Sequence, residues 1–237
     1  IWILSTTLPL VMYAMWSTLA AEAPVGSFDE PTFAAYFLAM LVVRQLTSAW
    51  VVWELNYAIR TGALGAMLLR PVHPLLYFAA QSLGALPFRV LVLLPVVGVV
   101  VALRPDLPLR VDLVTAALFV WTTLLAFVLV FLVQAVFGVL ALYTEQSLSF
   151  QEAWFGLWAV LSGYLVPLSL MPEVEAATRW LPFRMMASLP VEIALGRVEG
   201  GALAEALLVQ AAWVLIVFGL VRVVWARGIR RFEAYGG

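Results

Sequence analysis

Arg44 and Arg89 each lie deep inside a stretch of sequence that is otherwise free of charge. If such stretches cross a membrane, an unpaired charge there costs at least roughly 2.5–3.5 kcal/mol, so neither guanidinium faces lipid. Two kinds of chemistry stay open for them. Each pairs with a carboxylate or with backbone carbonyls in the bundle or a partner subunit, or each lines a polar cavity for an anionic or amphipathic substrate. The remaining reactive inventory is thin. The chain has no cysteine, hence no disulfide, thiolate metal site or cysteine nucleophile, and its single histidine excludes a multi-histidine metal site. That residue, His73, sits between Val72 and Pro74, where a solvated side chain and a base are the competing readings. Glu145 and Glu152 lie seven apart and read as solvated loop acids or as one helical face. Metalloprotease H-E-x-x-H helices, G-x-x-x-x-G-K-[ST] phosphate loops and G-x-S-x-G elbows are absent. The residues therefore predict a non-catalytic chain that binds no cofactor of its own.

The elements that must position these residues follow from composition. Of 237 residues, 65% are hydrophobic and 11% charged, against about 25% charged in a soluble domain. The chain reads as one all-α integral membrane domain. Its net charge of −1 argues against a nucleic-acid partner. A spanning helix needs roughly 20 mostly apolar residues, and the distances between charges predict six spans, at about 1–21, 32–53, 77–103, 113–142, 153–171 and 202–225. A signal peptide competes for the first, although its apolar run exceeds the usual h-region of about 7–15 residues. The 113–142 stretch is read as a single tilted helix. Pro87 and Pro95 predict a kinked span 3. The chain begins at Ile1, which predicts that a native N-terminal segment is missing.

Six spans place both ends on one side. The arginine cluster Arg227-Gly-Ile-Arg-Arg231 immediately follows the last span, so both termini are expected to be cytoplasmic, in a cell inner (plasma) membrane. Two segments are neither span nor plain linker. Residues 54–74 are expected along the inner surface, with Leu64, Met67 and Leu68 forming one apolar stripe and Pro71 ending the helix. They read either as an interfacial helix covering headgroups or as a lever pushed by a cytoplasmic partner. Residues 172–200 hold mixed charge and three prolines, and are expected as short external or re-entrant helices, or as an ordinary outer loop.

Three stretches carry a resemblance: Gly62-Ala-Leu-Gly-Ala-Met-Leu-Leu-Arg-Pro-Val72; Leu181-Pro-Phe183 with Leu189-Pro-Val-Glu-Ile193 and Gly196; and Gln210-Ala-Ala-Trp213 through the arginine tail to Gly236-Gly237. In their order and topology they resemble the permease subunits of ABC-2 type exporters, the small six-span group. The resemblance implies that 54–74 carries a coupling helix docking on an ATPase, with Tyr57, Arg60, Arg70 and His73 as contacts. It also implies that 172–200 matches external helices capping the pathway. Two ABC ATPase subunits, holding the ATP and Mg, and a second permease, a related chain or an identical copy, would complete the assembly in the lipid bilayer. Ion-coupled secondary transport and a scaffold role are the alternatives.

Overall fold

The computed structural model describes residues 2–232, and side chains from residue 8 onward. Residues 233–237, which include the Gly236-Gly237 end of the third stretch, lie outside the described residues. Among those described, the protein is helical, with no strand. In chain order the helices are α1 (Trp2–Glu22), α2 (Glu30–Thr47), α3 (Val51–Arg60), α4 (Ala63–Leu68), α5 (Pro74–Gly84) and α6 (Leu86–Leu103). They are followed by α7 (Leu113–Val139), α8 (Ser147–Leu161), α9 (Pro172–Thr178), α10 (Pro182–Met186), α11 (Ser188–Ala194) and α12 (Gly200–Ile229).

Four helical stretches are long and apolar enough to cross a membrane: Glu30–Arg60, Pro74–Leu103, Leu113–Leu142 and Gly200–Ile229. The first joins α2 to α3 and the second joins α5 to α6. Local chemistry starts several of these helices. Asp29 caps α2 by accepting from the Thr32 N–H at 3.0 Å, and Asp112 caps α7 by accepting from that of Thr115 at 2.9 Å. The junction between α5 and α6 falls at Ala85, which keeps helical dihedrals (φ −81°, ψ −17°), two residues before Pro87, which has no N–H to donate to the carbonyl four residues back.

Two segments depart from the spans read from charge spacing. Glu54–Arg60 does not leave the bundle as a surface segment but completes α3. The stretch expected to cross at 153–171 is helical only to Leu161. Its 15 residues reach roughly 22 Å, short of the roughly 30 Å hydrocarbon core. Gly163, with φ +81°, terminates α8, and a Cβ there would press within 2.6 Å of the Tyr36 hydroxyl. That hydroxyl donates to the Gly163 carbonyl at 2.7 Å.

Ion pairs sort the loops onto two ends. At the Glu30 end, Arg104 meets Glu30 at 2.5 Å and Asp106 at 2.8 Å, Arg110 meets Glu199, and Arg197 donates to the Ser27 carbonyl at 3.1 Å. At the Arg60 end, Arg60 meets Glu145 at 3.5 Å, and the Tyr143 hydroxyl donates to the Val224 carbonyl at 2.8 Å. Helix α7 is the hub, packing on α2, α3, α11 and α12. At Gly138 an added Cβ would lie 3.3 Å from the Val52 Cα, so the missing side chain lets α7 and α3 approach closely. Helices α10 and α11, too short to cross, are nearly wholly buried against this hub and α2, whereas α5–α6 and α12 expose most of their apolar surface.

Candidate functional site

The α2–α3 stretch is interrupted at Ser48–Trp50, where Ser48 adopts extended geometry (φ −65°, ψ 122°). Carbonyls upstream of such a break lose their i+4 amide partners, and a buried carbonyl must find another donor. Arg89 supplies it. Its Nη1 donates to the Gln45 carbonyl at 3.2 Å and the Ser48 carbonyl at 2.5 Å, with the residue 8% exposed. Of the two readings, Arg89 therefore takes backbone pairing, and it ties the break in one crossing to the start of α6 in the next.

Arg44 is placed differently. It lies in the last turn of α2, where the helix dipole favours a cation, and its guanidinium stands 5.4 Å from the centre of the Trp158 ring. The Tyr164 hydroxyl lies within reach of the guanidinium, while the buried Nε has no partner. Arg44 opens onto a cleft of about 30 Å³ bounded by α7, α8 and α10. Gln134, Gln151 and Trp158 line the same cleft, and the Oε1 atoms of both glutamines and the Trp158 Nε1 are buried without partners. Trp154 and Phe155 complete an aromatic wall, with Phe155 exposed at the rim. Charge spacing could not reveal Gln134, Gln151 or Trp158, because all three are neutral. The available signal was an amide, Gln134, in the middle of the charge-free stretch before Leu142.

Tyr57, Arg60, Arg70 and His73 all lie at the Arg60 end. Tyr57 is 69% exposed. Arg60 also donates to the Thr144 carbonyl at 3.3 Å, so it joins the end of α3 to the turn after α7. Arg70 is exposed beyond α4. His73 is the N-cap of α5, accepting from the Leu75 N–H through Nδ1 at 3.2 Å, with its ring 4.8 Å from that of Trp225. Desolvation pushes its pKa below the ordinary histidine value. In α4, Leu64 and Met67 point inward, while Leu68 and Leu69 are exposed, the latter at 90%. The expected stripe thus contributes two of its three residues to packing.

The second and third sequence stretches acquire structural reasons. Gln210 is fully buried in α12 and donates to the Thr122 carbonyl at 3.0 Å and the Met185 carbonyl at 2.9 Å, clamping three helices together. Trp213 donates to the Trp180 carbonyl at 2.8 Å. Phe183 stacks on Trp154 at 4.7 Å, and Glu192 forms a largely buried ion pair with Arg184 at 2.5 Å. No group of three or more potential metal-ligating side chains occurs among the described residues.

A bundle of membrane-crossing helices, with short helices buried against its hub and polar loops gathered at two ends, defines a multi-pass membrane protein. A family model described as ABC-2 family transporter protein matches residues 25–236, and the chain belongs to that family of ABC transporter membrane components. No curated protein and no solved structure matches it.

Proposed function

We propose that this chain is the permease subunit of an ABC exporter, forming the path for an amphipathic or hydrophobic substrate and driven by a separate ATPase. Family membership across residues 25–236 carries the reading. The chain lacks a phosphate loop, so ATP and Mg belong to two copies of the partner ATPase. A second permease, related or identical, completes the assembly. Six crossings are counted when α1 and 153–171 join the four long stretches, with both termini cytoplasmic in the inner membrane. Residues 153–171 cross as α8 continued by the chain after Leu161, which brings Ser169 to Arg197 at the Glu30 end. Residues 54–74 serve as the coupling segment, and 172–200 close the opposite end. Exposed Tyr57, Leu69 and Val72 beside Arg60, Arg70 and His73 support that docking role, since an apolar patch rimmed by charge suits a protein partner. Ion-coupled transport is disfavoured because none of the residues lining the Arg44 cleft is a carboxylate.

The absence of cysteine makes the test direct. A single Leu69→Cys substitution, treated with a short bifunctional thiol reagent in native membranes, is expected to crosslink to a phosphate-loop ATPase. Labelling of the introduced thiol only from the periplasmic side would overturn the orientation and the coupling role together.

A further inference from the structure

Four residues that line the Arg44 cleft carry a buried polar atom without a partner: donors at Arg44 Nε and Trp158 Nε1, and acceptors at Gln134 Oε1 and Gln151 Oε1. An unpaired polar group in a low-dielectric interior is costly. Among the described residues six further buried side-chain atoms, on Gln45, Thr123, Ser162, Ser188 and Gln210, also lack a partner, but only here do donors and acceptors line one cleft. Trp158 lines the cleft and is 5% exposed, so its indole is withdrawn from solvent. Arg89 is compensated by two carbonyls, whereas Arg44 has no ion pair among the described residues. The uncompensated charge is therefore positive. About 30 Å³ of accessible space is room for a small polar group, while Trp154, Phe155 and Met186 supply apolar wall beside it. The rim lies at Phe155, which is 41% exposed.

We propose that this cleft binds an anionic head group, a phosphate, sulfate or carboxylate carried on an apolar body. Arg44 and the Trp158 N–H read the anion, and the glutamine oxygens accept from a hydroxyl or amide next to it. As the place where a transported molecule is recognised, the site rests on the permease reading, but binding itself needs no ATPase.

The test is binding of radiolabelled dodecyl phosphate to the full-length protein in phosphatidylcholine nanodiscs, with empty nanodiscs subtracted. Saturable binding is expected. It should weaken by about tenfold or more in Arg44→Gln, which loses a charge-assisted bond, and by about threefold in Trp158→Phe, which loses one neutral donor. Arg222→Gln, on the exposed face of α12, should leave it unchanged. Dodecyltrimethylammonium should show no saturable binding, and inorganic phosphate should not compete, because the apolar wall contributes to affinity. Should Arg44→Gln fail to fold, Trp158→Phe decides. Absence of saturable binding, or binding indifferent to Trp158→Phe, would overturn the proposal and leave the cleft to water. Competition by inorganic phosphate would overturn the amphiphile and identify a free anion. None of these failures touches the permease reading, which stands or falls on ATPase association.

Discussion

Replacing each intramembrane arginine by methionine should have opposite effects on stability. In Arg44→Met, removing an unpaired charge from the membrane interior relieves about 2.5–3.5 kcal/mol, while loss of the contact with Trp158 gives back about 0.5–2 kcal/mol. The variant should be more stable than the parent by about 0.5–3 kcal/mol. Arg89→Met relieves the same charge but abandons two bonds from a charged donor, to the Gln45 and Ser48 carbonyls, worth about 1.5–3 kcal/mol each. Its net effect runs from a gain of about 0.5 kcal/mol to a loss of about 3.5 kcal/mol, centred on a loss of about 1.5 kcal/mol, so the two variants should differ by about 3 kcal/mol. For a chain of this size that corresponds to a gap of about 6–12 °C in Tm. Thermal unfolding followed by intrinsic fluorescence in one maltoside detergent reads it. An Arg44→Met protein that melts below the parent would refute the reasoning and make Arg44 a structural residue. A gain in stability with altered substrate response would fit a residue kept for binding at a stability cost.

Three further outcomes are expected. Because the folded-state pKa of His73 is depressed, its contribution to stability is present above the unfolded value near 6.5 and is lost as pH falls through the folded one. The protection of the Leu75 amide against hydrogen exchange should fall over that descent, and His73→Asn, which caps without titrating there, should abolish the pH dependence of that protection. Gln210→Leu removes the two hydrogen bonds that tie α12 to α7 and α10, worth about 0.5–1.5 kcal/mol each, and should lower stability by about 1–3 kcal/mol; a neutral Tm would show the clamp to be dispensable. Arg60→Glu replaces attraction to Glu145 with repulsion and should abolish substrate-stimulated ATPase activity of the assembled transporter while the permease remains inserted. Unchanged stimulation would remove Arg60 from the coupling path.

The depth of Arg44 and Arg89 was legible because a charge in an apolar run is visible in one dimension. Which of the two pairs was not, since the answer lies across helices: Arg89 finds carbonyls of α2 and of the break after it, and Arg44 faces amides of α7 and α8. The α2–α3 break carries no glycine or proline in Thr47-Ser48-Ala49-Trp50, so sequence reads one uninterrupted crossing. The donor that satisfies its carbonyls comes from Arg89 on another helix. The shortness of α8 had a local sign in Gly163, but the positive φ that makes this glycine a terminator is a property of the folded chain. Proline content marked 172–200 as unable to cross. That α10 and α11 would be buried almost completely depends on the fit of Phe183, Met185 and Leu189 against α7, α2 and α8, which no periodicity encodes.

The central claim, a permease driven by a separate engine, is tested most directly by purifying the tagged full-length protein from its native membrane in mild detergent. Mass spectrometry of stoichiometric partners and an ATPase assay complete the measurement. The account predicts a co-purifying phosphate-loop ATPase and nucleotide hydrolysis sensitive to Arg60→Glu. Repeated isolation of the intact protein without such a partner, and without ATPase activity, would contradict it.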